Sequence, residues 1–198
     1  TKLKKKRLSI VIPTYNEAED IGICLESIVS QKYPKNLIEV IIVDNYSSDG
    51  TLKIAKGFSK SINIKFLKNE IKDAEVSKKI GFEKSSGEFF MYLDADMKFH
   101  DSFFVEKNIF PLKSDEKIAG SLIKFIVNKK HPPLTRILSY DEFQRDPILS
   151  FFTIGVDQIF YEQREKYTLC NCDKKYVPPQ CLMIYIKKLI LEYVEYGI

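Results

Sequence analysis

The sequence predicts an α/β fold: a mostly parallel β-sheet with helices on both faces. Three observations carry this. Strand-like and helix-like stretches alternate over the first half of the 198 residues, the pattern of parallel strands joined by right-handed crossovers. The first strand-like runs are almost uninterruptedly apolar, as strands buried on both faces are. Polar loops follow three strands, at 14–17, 44–49 and 94–96, and in such sheets ligands bind beyond the carboxyl ends of the strands.

Leu8-Ser9-Ile10-Val11-Ile12-Pro13 is a β-branched run closed by proline, the first strand. From Asp20, the positions Ile21, Cys24, Leu25, Ile28 and Val29 recur at helical spacing, until Tyr33-Pro34 breaks the helix. Leu37 to Val43 is the second strand. Ser47 or Ser48 is placed to cap the next helix, which carries Leu52, Ile54, Ala55 and Phe58. Ile62 to Phe66 alternates as the third strand. A helix from Ala74 to Lys84 stops near Ser85-Ser86-Gly87. Phe89-Phe90-Met91-Tyr92-Leu93 is a short, aromatic-rich, buried strand that runs into Asp94-Ala95-Asp96. Beyond it, 102–105 and 109–110 read as a helix against the core, 119–127 as a strand and 131–133 as a turn. The stretch 181–186 reads as a strand and 187–195 as a terminal helix.

Composition narrows the function classes. Hydrophobic residues at 44% and charged residues at 29% are ordinary for a soluble globular protein. No apolar run approaches the ~18–20 residues that span a bilayer. A net charge of +4 with interspersed acids gives no basic stripe, which speaks against a nucleic-acid module. The basic leader Lys2–Arg7 has two readings: a solvated tail, or a contact with an anionic membrane surface. No signal peptide is visible in the opening residues. Of the four cysteines, Cys24 falls on the apolar helix face and belongs to the core. Cys170 and Cys172 have no Cys/His pair at zinc spacing elsewhere, and reduced thiols of a cytosolic compartment fit best. There is no Gly-x-Gly-x-x-Gly and no Walker A sequence, against dinucleotide and P-loop chemistry.

The stretch ending in Asp94-Ala95-Asp96 organises the rest. Residues two apart on an extended backbone point the same way. Asp94 and Asp96 can therefore converge on one cation, and Ala95 adds no bulk between them. Two carboxylates are hard oxygen ligands suited to Mn²⁺ or Mg²⁺, with a substrate diphosphate filling the other positions. The plain alternative is a strand-to-loop junction with two solvated acids. His100 reads as an exposed loop histidine.

Four segments in order resemble the family 2 glycosyltransferases. Ser9 to Glu17 is similar to their opening strand and loop, and Val43 to Thr51 to their second-strand motif. Ser77-Lys78-Lys79-Ile80-Gly81 and Ser86 to Asp96 are similar to their helix and metal-site strand. The resemblance covers roughly the first 110 residues. It implies a GT-A fold, Rossmann-like, with a nucleotide-diphosphate sugar donor (UDP- or GDP-linked) and a divalent metal. It places Pro13 and Tyr15 at the base and ribose, Glu17 toward the ribose or diphosphate, and Asp44 on the base. Lys78 lies near the nucleotide, where the family often has Arg. Asp94 and Ala95 border ribose and diphosphate, and Asp96 is the principal metal ligand. Alternatives stand beside three of these: Tyr15 as a loop aromatic over the sheet edge, Glu17 as a first-turn helix acid, and Lys78 as a solvated helix lysine. The family's second-strand motif often carries two consecutive acids; here the second is Asn45, which bears on the base or ribose contact.

One domain is expected over 1–198, without repeat or linker: the leader at 1–7, a nucleotide-sugar-binding half at 8–110 and an acceptor-side half at 111–198. The implied reaction is metal-assisted direct displacement with inversion. A hydroxyl acceptor needs a carboxylate base, and the chain is expected to stop short of the family's base segment; Asp141, Glu142 and Asp157 are weak substitutes. A lipid phosphate acceptor is already ionised and needs none. The expected setting is cytoplasmic, at the cytoplasmic face of a membrane if the chain is part of a larger protein. Two other functions stand beside this one: a nucleotide-sugar-binding domain without turnover, and a sugar nucleotidyltransferase. The latter is disfavoured because Thr14–Glu17 holds neither glycine nor a basic residue.

Overall fold

The structure is a computed structural model that describes residues 6–116, 118, 120–121, 160–166, 168–171 and 184–187. The chain groups into two compact units, Thr1–Ile123 with Cys181–Ile198, and Lys124–Gln180. In the first unit the elements are β1 (Leu8–Thr14), α1 (Ile21–Val29), β2 (Ile38–Asp44), α2 (Thr51–Gly57), β3 (Asn63–Lys68), α3 (Ala74–Lys84), β4 (Phe89–Tyr92), α4 (Phe104–Ser114) and β5 (Gly120–Ser121). In the second unit, β6 (Phe160–Gln163) pairs antiparallel with β7 (Thr168–Asn171). The last strand of the first unit is β8 (Ile184–Ile186).

The first unit's sheet has the order β3-β2-β1-β4-β8-β5. Strands β1 to β4 are parallel, and β8 runs antiparallel between β4 and β5. From β1 the chain steps outward through β2 to β3, then returns across β1 to form β4. With right-handed crossovers this reversal puts α3 on the face opposite α1 and α2. The strand order turns between β1 and β4, and a crevice opens there beyond the strand ends.

Both faces of the central strands are filled. Every residue of β2 and nearly every residue of β1 is buried, whereas the edge strand β3 alternates between exposed and half-buried. On the α3 face, Val11, Ile41, Val43 and Phe90 form a cluster, with Leu67, Ile80, Phe82 and Tyr92 packed on it. The alternate residues Ile10, Ile12, Val40, Ile42 and Met91 are fully buried on the other face, as are Ile21, Leu25 and Ile28 of α1. Gly81 lets α3 approach β1 closely, because a Cβ there would overlap both methyls of Val11. The amino-terminal ends of the strands are tied by Glu39. Its Oε2 accepts from Ser9 Oγ (2.6 Å) and Ser86 N (2.9 Å), its Oε1 accepts from Ser86 Oγ (3.0 Å), and Lys65 pairs with it.

The described elements follow the sequence expectations closely; α3 has the expected bounds. The cap of α2 differs. Neither Ser47 nor Ser48 serves it: the residue before Thr51 is Gly50 at φ 103°, and Asp49 Oδ1 accepts from Thr51 N (3.0 Å). The two serines bind the loops instead. The central strand is also shorter than its apolar run, ending at Tyr92. The turn at 131–133, all but the first residue of the terminal helix expected at 187–195, Cys172 and the acids Asp141, Glu142 and Asp157 lie outside the described residues, and so does most of the strand expected at 119–127.

Candidate functional site

The loops after β1, β2 and β4 leave neighbouring strands at the same end of the sheet. The first two are knitted together by hydrogen bonds. Asn16 N donates to Ser47 Oγ (2.9 Å), Ser48 N to Asn16 Oδ1 (2.9 Å), Glu17 N to Thr51 Oγ1 (2.8 Å) and Ala18 N to Asp49 Oδ2 (2.9 Å). Asp44 is the hinge pin of this knit. It is 1% exposed; its Oδ1 accepts from Thr14 Oγ1 (3.0 Å) and Ser47 Oγ (2.6 Å), and its Oδ2 from Ser47 N (3.0 Å). Pro13 is half-buried at the end of β1. Tyr15, two residues further on, is 53% exposed.

The β4 loop is fixed from below. Leu93 N donates to Val11 O (3.0 Å), and Met97 N to Asp94 O (3.0 Å), which turns the chain around Ala95. Ala95 is buried, Asp94 half-buried and Asp96 exposed. Cys24 of α1 lies beneath, its Sγ 4.0 Å from Asp94 O; burial first, then Asp96 and Asp94, push its thiol up to about 12. Such a thiol stays protonated, so Cys24 is core.

Charge is concentrated here. Partial burial and then Asp94 hold the Asp96 carboxyl above the ordinary carboxylate range. Glu17 is raised too, by burial and then by Asp96, Asp20, Asp49 and Asp94. Glu17 is therefore part of an acidic mouth, and it sits in the loop four residues ahead of α1, not in the helix's first turn. Among the described residues, no group of three or more His, Cys, Asp or Glu side chains is arranged to hold a metal. Asp94 and Asp96 offer two carboxylates, which fits a hard cation whose remaining ligands come from a phosphate-bearing ligand. Lys78 on α3 pairs with Glu75 (2.6 Å) and lies 5.8 Å from the centre of the Tyr92 ring, at the same end of β4. His100 is exposed, as expected.

The sequence profile described as glycosyl transferase family 2 matches residues 9–170. The chain belongs to that family. It is 43% identical over 95 residues to glycosyltransferase AglE of Haloferax volcanii, covering 47% of this chain and 31% of AglE. It is 34% identical over 129 residues to the dolichyl N-acetyl-alpha-D-glucosaminyl phosphate 3-beta-D-2,3-diacetamido-2,3-dideoxy-beta-D-glucuronosyltransferase of Methanococcus voltae, covering 62% of this chain and 39% of that enzyme. The chain thus spans under half the length of these relatives. Among solved structures, TarS 1-349 of S. aureus aligns over 95% of this chain and 49% of its own, with TM-score 0.66 and 21% identity. The fold is GT-A. The same TarS fragment in complex with UDP-GlcNAc aligns over 64% of this chain and 37% of its own, with TM-score 0.55 and 26% identity.

Three features of this glycosyltransferase-family site were not apparent from its motifs. Asn45 is 4% exposed; its Nδ2 donates to Thr14 O (3.2 Å), while its Oδ1 accepts from Asn69 Nδ2 (2.9 Å) and Ser77 Oγ (3.0 Å). An amide serves both sides of that network and a carboxylate does not, so the departure from the double-acid motif is structural. Gln31 is 3% exposed; its Nε2 donates to Asp101 O (2.8 Å) and its Oε1 accepts from Val105 N (3.1 Å), pinning the segment after Asp96 to α1. Asn16 and Tyr46 have φ of 56° and 63°, both on the knitted loops. Asn is one of the residues that tolerates this region; nothing in the sequence around Tyr46 marks it.

Proposed function

We propose that this chain is the donor-binding part of a metal-dependent, inverting glycosyltransferase that takes a sugar from a nucleoside diphosphate. The observation that carries the reading is the pair Asp94 and Asp96 after β4, at the same end of the sheet as the exposed Tyr15 after β1 and the buried Asp44 that closes β2. The complex of the relative TarS with UDP-GlcNAc supports a nucleotide-sugar donor.

In this reading Tyr15 packs on the base, Pro13 borders base and ribose, and the polar edge of the Asp44 loop selects the base. Asp44 itself holds that loop. Glu17 and Asp94 face the ribose and diphosphate, and buried Ala95 leaves the backbone room to approach. Lys78 supplies a point charge near the nucleotide. Asp94 and Asp96 would hold Mn²⁺ or Mg²⁺, which when bound neutralises charge on the departing diphosphate. The acceptor oxygen, of an ionised phosphate or of a hydroxyl that gives its proton to a carboxylate base, attacks the anomeric carbon from the side opposite the diphosphate; the new carbon–oxygen bond forms as the one to the diphosphate breaks, and the configuration inverts. The Methanococcus voltae relative, whose name carries a dolichyl-linked sugar phosphate, supports a lipid-linked acceptor. In this reading the chain works in the cytoplasm, at the cytoplasmic face of a membrane as part of a larger protein.

Calorimetric titration with UDP, GDP and their sugar conjugates, with and without Mn²⁺, tests the reading. Binding of one nucleotide that requires the metal is expected. Absence of binding to all of them, in the folded chain, would refute it.

A further inference from the structure

Tyr46 is a bulky residue in the left-handed region, with φ 63°. A side chain there meets its own backbone, and only glycine, or a short polar residue such as asparagine, adopts it at low cost. Strain of this kind persists where the surroundings impose it, and it gathers at ligand sites. The surroundings here are specific. Tyr46 OH donates to Glu70 Oε1 (3.3 Å), and Lys68 Nζ lies 5.4 Å from the ring centre. Both partners come from the carboxyl end of β3 and the turn after it. With both partners in place the residue is still 43% exposed.

Its position supplies the reason. Tyr46 directly follows the Asp44-Asn45 pair, and its neighbour Ser47 accepts from Asn16 N (2.9 Å), next to Tyr15. The two exposed tyrosines therefore sit on two loops bonded to each other, above the same strand ends. We propose that Tyr46 is a second base-contacting residue, a wall of the nucleobase pocket that sets its preference among nucleoside diphosphates. This rests on the donor reading above. An aromatic face binds any base by stacking, and a wall of fixed orientation discriminates by size. The strained backbone is then the cost of fixing that orientation before the ligand arrives.

The test separates ring from backbone. Tyr46→Gly and Tyr46→Asn remove the ring and relieve or tolerate the left-handed backbone; Tyr46→Phe keeps the ring and removes the bond to Glu70. Calorimetry with UDP, GDP and inorganic diphosphate, each with Mn²⁺, is read beside urea unfolding. Tyr46→Gly and Tyr46→Asn are expected to bind the preferred nucleotide about tenfold more weakly, the order of one stacking contact, and to discriminate less between UDP and GDP. Their binding of inorganic diphosphate stays unchanged, and the stability of Tyr46→Gly is unchanged or raised. Tyr46→Phe retains most of the affinity. Nucleotide affinity unchanged in both ringless variants would overturn the inference, as would a loss shared by inorganic diphosphate or an equal loss in Tyr46→Phe. If the unaltered protein binds inorganic diphosphate but neither nucleotide, the donor reading fails first and this inference with it.

Discussion

Glu39 gives a prediction whose size follows from the structure. Its carboxylate is 1% exposed and receives four donors on two oxygens, from Ser9, Ser86 twice and Lys65. Burial alone would raise its pKa. The Lys65 ammonium, the Ser9 hydroxyl and both Ser86 donors outweigh that and hold it at about 2, against an ordinary 4.5. A depressed carboxylate stabilises the fold fully above the unfolded value, and that stability is lost as pH falls toward the folded value. A difference of about 2.5 pK units corresponds to about 3 kcal/mol, trimmed to about 2 kcal/mol because Lys65 is partly in water. Glu39→Gln places an amide donor against at least one of the four donors and leaves a buried partner unsatisfied. Urea unfolding at about pH 6 should show the variant less stable by about 2–3 kcal/mol. At about pH 3 the gap should narrow by roughly 1–2 kcal/mol, because the native carboxylate is then losing its advantage. A gap of the same size at both pH values would refute the account of Glu39 as an ionised clamp.

Asp96→Ala is expected to abolish the dependence of nucleotide binding on Mn²⁺ while leaving the unfolding midpoint unchanged or raised, since one of several mutually repelling acids is gone; calorimetry beside urea unfolding checks both. Asn45→Asp should cost about 1–3 kcal/mol, because it removes the donation to Thr14 O and sets a charge in a buried network beside Asp44; a neutral result would show that the network tolerates an acid. Gly81→Ala should cost about 1–3 kcal/mol by forcing α3 off Val11, whose Cγ2 would lie 2.8 Å from the new Cβ. Adding Val11→Ala should recover part of that loss, and strictly additive losses would show that the two residues do not share the strain.

The first half of the chain was legible because each strand is an apolar run closed by a polar loop, and each parallel strand must be reached through a helix. That logic placed β1 to β4, α1 to α4 and the three loops at one end of the sheet. What escaped it depends on contacts far apart in sequence. Ser47 looks like a helix cap because it precedes a helical stretch, yet its hydroxyl goes to Asp44 and its partner loop lies 31 residues earlier. Asn45 looks like a missing acid until Asn69 and Ser77 are seen around it. Gln31 carried no signal, because a glutamine just past a helix end is ordinarily solvated. The pairing of β8 between β4 and β5 could not be read from a short apolar run, which fits either strand direction.

The acids around the crevice also bear on the order of events. Glu17 and Asp96 are both raised, first by partial burial and then by neighbouring carboxylates, Asp96, Asp20, Asp49 and Asp94 for Glu17, and Asp94 and Asp20 for Asp96. A nucleoside diphosphate is itself an anion, so an acidic mouth is a poor receptor for it alone. The arrangement becomes favourable only when positive charge enters with the diphosphate, between it and the carboxylates. The base end has no such requirement, since Tyr15 and Tyr46 offer apolar faces. On the proposed reading, a cation would set whether the donor binds, and the aromatic end would set which donor it is. These two tasks fall on different strands: the first on the loop after β4, the second on the knitted loops after β1 and β2.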